Sequence, residues 1–175
     1  YPGAKVATEA YAPLMYQLAE SGIDCFLVDM PFHMAFFGMN RAEEIMQEYN
    51  YEAWYLGGHS LGGAMAANFA VDYVEDHTDG IRGLLLLAAY PTKDLSTSDM
   101  SVVTVYGSED GVLNMDKIVA GRELMPQDYK EVCIEGGNHA QFGSYGTQKG
   151  DGTAAIPAEE QWARTVEVFV GDESE

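Results

Sequence analysis

The stretch that most constrains this chain runs from Glu52 to Asp76. Ala53–Leu56 is a short apolar run that reads as a buried strand, and the small residues from Leu61 to about Glu75 read as a helix. Almost no loop separates them. Gly58-His59-Ser60-Leu61-Gly62 must therefore make a sharp bend. Such a bend holds the serine at its apex in a strained conformation, with Oγ exposed and a helix N-terminus behind it. Glycine is required two residues before and two after, because a Cβ at either place would collide with the bend. Gly63, Ala64, Ala66 and Ala67 let the helix approach the sheet closely. Taken without its setting, the pentapeptide also fits a Gly-rich turn with no chemistry; its position between strand and helix is what gives it weight.

The rest of the chain repeats the alternation. Thr8 is a plausible cap for a helix carrying Tyr11, Leu14, Met15, Leu18 and Ala19 up to Gly22. Ile23–Met30 reads as an apolar strand stopped by Pro31, and residues 31–39 form a greasy connection. Asn40 caps a helix to about Tyr49. Further strands are predicted at Gly83–Tyr90, Val102–Tyr106 and Tyr129–Ile134, with helices over 114–124 and Ala158–Val170 and a frayed acidic end at 171–175. Near-continuous apolar strands alternating with helices predict an α/β fold: one domain over 1–175 with a mostly parallel, doubly wound sheet.

Charge narrows the functions. Nine Lys and Arg stand against 28 Asp and Glu, a net charge of −19. With no basic cluster, a nucleic-acid partner is not expected. Cys25 and Cys133 lie in apolar runs and read as buried free thiols, leaving the compartment undecided between cytoplasm and a surface anchored through a segment upstream of Tyr1. Neither metal nor cofactor is expected: no His or Cys pair has ligand spacing, and no phosphate-cradling loop is present.

In open parallel sheets, functional groups gather at the carboxyl ends of the strands. Ser60, Asp110 and His139 each follow a predicted strand. A serine needs a base to become a nucleophile, and an imidazole needs a carboxylate to fix its tautomer. For the base, His59 points away from Ser60 at the bend and reads as a wall residue. His77 reads as a helix-end residue, and His33 either lines a pocket or simply packs. His139, flanked by Gly and Asn, is left. For the carboxylate, Asp110 is framed by Gly107 and Gly111, with Glu109 the runner-up; Asp110 is equally the residue a plain Asp-Gly turn would use. Asp94 and Asp99 precede their strand. The Leu61 N–H offers one oxyanion donor, and Gly3 or Ala4 the second. Phe32, Met34, Phe36, Phe37 and Met39, with His33 and His59, wall an acyl pocket or belong to ordinary core.

With Gly58–Gly63, Gly107-Ser108-Glu109-Asp110-Gly111 and Gly136-Gly137-Asn138-His139 in place, the chain resembles the α/β-hydrolase family over most of 1–170. It looks closest to small, uncapped members similar to dienelactone hydrolases and carboxylesterases. The resemblance implies an eight-stranded, mostly parallel sheet and an acyl-enzyme mechanism with Ser60 as nucleophile, Asp110 as acid, His139 as base and Leu61 as an oxyanion donor. The opening Tyr-Pro-Gly-Ala-Lys resembles the family's oxyanion loop. Only about a dozen residues separate Tyr90 from Val102, so no cap domain is expected. Dienelactone hydrolases usually carry Cys where this chain has Ser60.

The resemblance also implies a strand seated between those at 23–30 and 52–57 and ending at about Tyr1. The expectation is that the natural protein begins further upstream, and that membrane contact comes only through that part. The expected partner is a small-molecule acyl substrate, an ester, thioester or lactone. Acyl transfer and a non-catalytic, ligand-binding hydrolase fold are the alternatives, and the oligomeric state is left open.

Overall fold

In the computed structural model, residues 1–77 and 80–172 are described. The acidic end therefore lies largely outside the described residues, and Gly171 and Asp172 close the last helix. Four parallel strands, β1 (Trp54–His59), β2 (Ile81–Leu87), β3 (Ser101–Gly107) and β4 (Tyr129–Ile134), lie side by side in chain order. The helices are α1 (Ala12–Glu20), α2 (Arg41–Glu48), α3 (Leu61–Asp76), α4 (Met115–Gly121) and α5 (Ala158–Asp172).

Alternation within β2 explains the two layers. Leu84 and Leu86 point to one face, against Ala66, Ala67, Phe69 and Ala70 of α3. Leu85 and Leu87 point to the other, with Leu14 and Leu18 of α1 and Trp162, Val166 and Phe169 of α5. A strand covered on both faces has no polar side, which is why β2 is apolar from Gly83 to Leu87, with Arg82 exposed at its start. Among the described residues no cap domain is present, and Tyr90 to Met100 is only a short connection.

Register brings the strand ends to one rim. His59 pairs with Leu87, Leu87 with Val105, and Gly107 with Ile134. The segments that follow β1, β3 and β4 therefore leave the sheet together.

Four readings of the sequence are corrected. The Ile23–Met30 run is not a strand: among the described residues it forms no ladder with a neighbour. Between it and β1 lies a cavity of about 370 Å³, lined among others by Ile23, Phe26, Leu27, Tyr55 and Leu56. Thr8 does not cap α1: it opens a 3-10 turn, Thr8–Tyr11, and its hydroxyl donates to Asp29 at 2.7 Å. The cysteines are free, as expected, but not buried: Cys25 is half-buried and Cys133 is exposed on β4 at the end of the sheet. Asn40 does precede α2, but its side chain makes no capping bond.

Candidate active site

Ser60 sits between β1 and α3 at φ 54°, ψ −123°. That is a left-handed position for a residue with a Cβ, a strain of about 1–3 kcal/mol that the surrounding structure must hold. Its N–H donates to the Leu87 carbonyl at 2.9 Å, and its carbonyl accepts from Gly63 and Ala64, so the bend is pinned on both sides. The flanking glycines are needed for space. A Cβ on Gly58 would stand 2.5 Å from the Gly62 carbonyl, and one on Gly62 would stand 2.2 Å from the Tyr1 carbonyl oxygen. Ser60 keeps partial exposure, and the Leu61 N–H beside it lies in the first turn of α3, where no carbonyl of the helix can reach it.

The loops after β3 and β4 bring a second pair together. Asp110 Oδ2 accepts from His139 Nδ1 at 2.8 Å, with both side chains 2% exposed. Asp110 Oδ1 accepts from the N–H groups of Val112 and Leu113 at 2.9 and 2.8 Å, which locks the carboxylate. Because the carboxylate accepts, the imidazole proton sits on Nδ1 and Nε2 presents a lone pair. That Nε2 is buried and has no hydrogen-bond partner, Ser60 Oγ included. Glu109 points elsewhere and accepts from the Ser108 hydroxyl.

Residues that the sequence reading passed over hold this pair. Asp151 accepts from the N–H groups of Gly111 and His139 through one oxygen, at 3.1 and 3.2 Å, and of Ala140 through the other, at 2.8 Å. It ties the aspartate loop to the histidine loop. Gln161 of α5 is fully buried and bonds both the N–H and the carbonyl of Asn138, at 3.0 and 2.9 Å. Only a composition cue was available for Asp151, an acidic residue framed by glycines in a long polar loop.

His59 is a wall residue, 1% exposed, its ring centroid 4.5 Å from that of His139. Tyr11 Oη accepts from the Gly3 N–H at 2.9 Å and lies 2.7 Å from His59 Nδ1. The Gly3 N–H, expected as a second oxyanion donor, donates to the Tyr11 hydroxyl. Ala4 is exposed and adjoins it. The proposed acyl wall also divides differently. Phe32, Phe36 and His33 are exposed, with Phe32 84% and Phe36 66% accessible. His77 lies exposed at the end of α3, stacked on Tyr73. Among the described residues, no group of three or more His, Cys, Asp or Glu is placed to hold a metal.

Burial and the neighbouring His139 push the His59 pKa well below its ordinary value. The native state then holds His59 neutral while the unfolded chain takes up a proton near pH 6.5, so stability is full above that pH and falls below it, by up to about 1.4 kcal/mol per unit. His59→Gln is expected to flatten that acid loss; urea unfolding at pH 7.5 and 5.5 of both proteins checks it, and parallel slopes would refute it.

The Alpha/beta hydrolase family model matches residues 1–163. The chain belongs to the α/β-hydrolase family. Solved structures agree on the fold of this α/β-hydrolase. A monoacylglycerol lipase from Paleococcus ferrophilus superposes with a TM-score of 0.71 at 16% identity, covering 98% of this chain and 92% of that one. A pyrethroid hydrolase from Sphingobium faniae gives 0.66 at 14% identity over 97% and 95%. A methylesterase from Arabidopsis gives 0.66 at 12% identity over 98% and 97%. No curated protein sequence is significantly similar to this α/β-hydrolase.

Proposed function

We propose that this α/β-hydrolase is a serine esterase that cleaves a small carboxylic ester, thioester or lactone through an acyl-enzyme intermediate. The observation that carries the reading is a buried imidazole, His139, locked to Asp110 at 2.8 Å with an unpartnered Nε2, at the same sheet rim as the strained Ser60. Family membership supports hydrolysis, and the esterase and lipase folds it superposes on are compatible with an acyl substrate.

In this reading Ser60 Oγ attacks the acyl carbon, its proton passes to His139 Nε2, and Asp110 steadies the imidazolium. The Leu61 N–H at the start of α3 receives the oxyanion. His139 then protonates the leaving group, and water repeats the sequence to release the acid.

A second reading, a hydrolase fold that only binds a ligand, is favoured by the missing Ser60–His139 bond and by the engagement of the Gly3 N–H with Tyr11. A fluorophosphonate probe separates the two. Labelling of Ser60 in the native protein, lost in His139→Ala, is expected; a native protein that stays unlabelled would establish the binding reading.

A further inference from the structure

We propose that the loop over residues 30–37, with Lys5 and Arg41 at its margin, docks this protein onto the surface of a phospholipid bilayer. Phe32, Phe36 and Phe37 are 84%, 66% and 60% exposed, three large aromatic side chains within six residues. They are clustered edge to face, with ring centroids 5.8 Å apart for Phe32 and Phe37 and 5.6 Å for Phe36 and Phe37. Contiguous exposed aromatic surface of this kind marks an interaction site.

The patch is held outward by the fold. Met30 and Ala35 are buried beneath it, and the turn Ala35–Phe37 packs against α3. Phe32 and His33 take left-handed backbone positions, φ 56° and 53°, which turn the first ring away from the core.

Charge selects the partner. The chain has 9 Lys and Arg against 28 Asp and Glu. Two of those nine, both exposed, border this patch. The Lys5 N–H donates to the His33 carbonyl at 2.8 Å, and Arg41 Nη1 donates to the Asp29 carbonyl at 2.7 Å. Among the described residues, neither Lys5 nor Arg41 forms an ion pair with a carboxylate. The nearby Asp29 carboxylate accepts from Thr8. Exposed aromatic rings rimmed by cations match the boundary between headgroup phosphates and acyl chains. A second copy is disfavoured by the repulsion between two chains of net charge −19. The same acidity favours a zwitterionic bilayer over a strongly anionic one.

The loop also adjoins the candidate site. Tyr1 Oη donates to the Met39 carbonyl, and the Tyr1 carbonyl accepts from the His59 N–H. Docking would thus bring the Ser60 rim toward the bilayer. Among the described residues no helix is long and apolar enough to cross a membrane, so the contact is peripheral. It does not depend on ester hydrolysis.

The test is flotation of the 175-residue chain with phosphatidylcholine vesicles. The native protein is expected to float, and the combined Phe32→Ser, Phe36→Ser and Phe37→Ser variant to lose at least ~10-fold in partition, as removal of three interfacial anchors requires. Lys5→Glu with Arg41→Glu should lose several-fold. Far-ultraviolet circular dichroism checks each fold. Phe36→Trp supplies a second readout, a blue-shifted emission on adding vesicles. A native protein that stays with the soluble fraction, or a triple variant that floats as well as the native one, overturns the proposal. So does a native dimer that the triple variant converts to monomer with no vesicle effect, which would assign the patch to self-association.

Discussion

Ser60→Ala is expected to remove esterase activity by at least ~10³-fold in kcat/KM while leaving the urea midpoint almost unchanged. Alanine and serine pay the same cost at φ 54°, so the elbow keeps its shape. Ser60→Gly separates chemistry from strain: it should abolish activity equally but stabilise the fold by about 1 kcal/mol, because glycine occupies that region freely. Asp110→Asn should cost ~10³–10⁴-fold. The amide oxygen can still accept from Val112 and Leu113 and keep the turn, but the group no longer carries the charge that steadies His139. The double variant, Ser60→Ala with Asp110→Asn, should be no worse than Ser60→Ala alone, because residues that act as one unit do not add. Hydrolysis that survives Ser60→Ala would remove the serine mechanism and leave the fold assignment intact.

How much of this was readable depended on whether the cause was local. The strand, bend and helix around Ser60 are specified by neighbours: an apolar run, small residues, and glycines where a Cβ has no room. Apart from Ile23–Met30, helix and strand positions elsewhere followed from the same periodicities, to within a few residues. The approach of Asp110 to His139 was readable only as two loops at one rim, with Glu109 a rival; the 2.8 Å bond depends on Asp151, which lies 41 residues after Asp110 and carries no local signature. Gly3 was misjudged for the same reason. Nothing in Tyr-Pro-Gly-Ala-Lys shows that the hydroxyl of Tyr11, counted as a core residue by its helical spacing, takes the Gly3 N–H. The aromatic residues of 32–37 were ambiguous because apolar composition does not distinguish a pocket, a core and a docking surface. The Ile23–Met30 run shows the converse: its composition is that of a strand, yet strand character needs a partner within reach.

That unpaired run leads to the other large expected effect. The Tyr1 nitrogen donates to the Gly57 carbonyl at 2.6 Å, and the His59 N–H donates to the Tyr1 carbonyl at 3.0 Å. These two bonds are one rung of a parallel ladder, with Tyr1 opposite Gly58. Behind Tyr1 the edge of β1 faces the cavity of about 370 Å³ and the extended segment beyond it. Neighbouring strands stand about 4.8 Å apart, so a strand inserted here would pair along β1 and lie on the side of the cavity that 23–28 also lines. Five β-branched residues joined ahead of Tyr1 are therefore expected to continue the ladder along Leu56, Tyr55 and Trp54. Burial of five such side chains contributes roughly 10 kcal/mol against about 7.5 kcal/mol of ordering entropy, a gain of about 2–3 kcal/mol. The thermal midpoint should rise by roughly 5–10 °C. Amide hydrogen exchange should slow in 23–28 and along β1, and replacing two of the added residues by proline should cancel the gain by removing ladder donors. An extension that leaves exchange in both segments unchanged would show that the gap does not accept a strand.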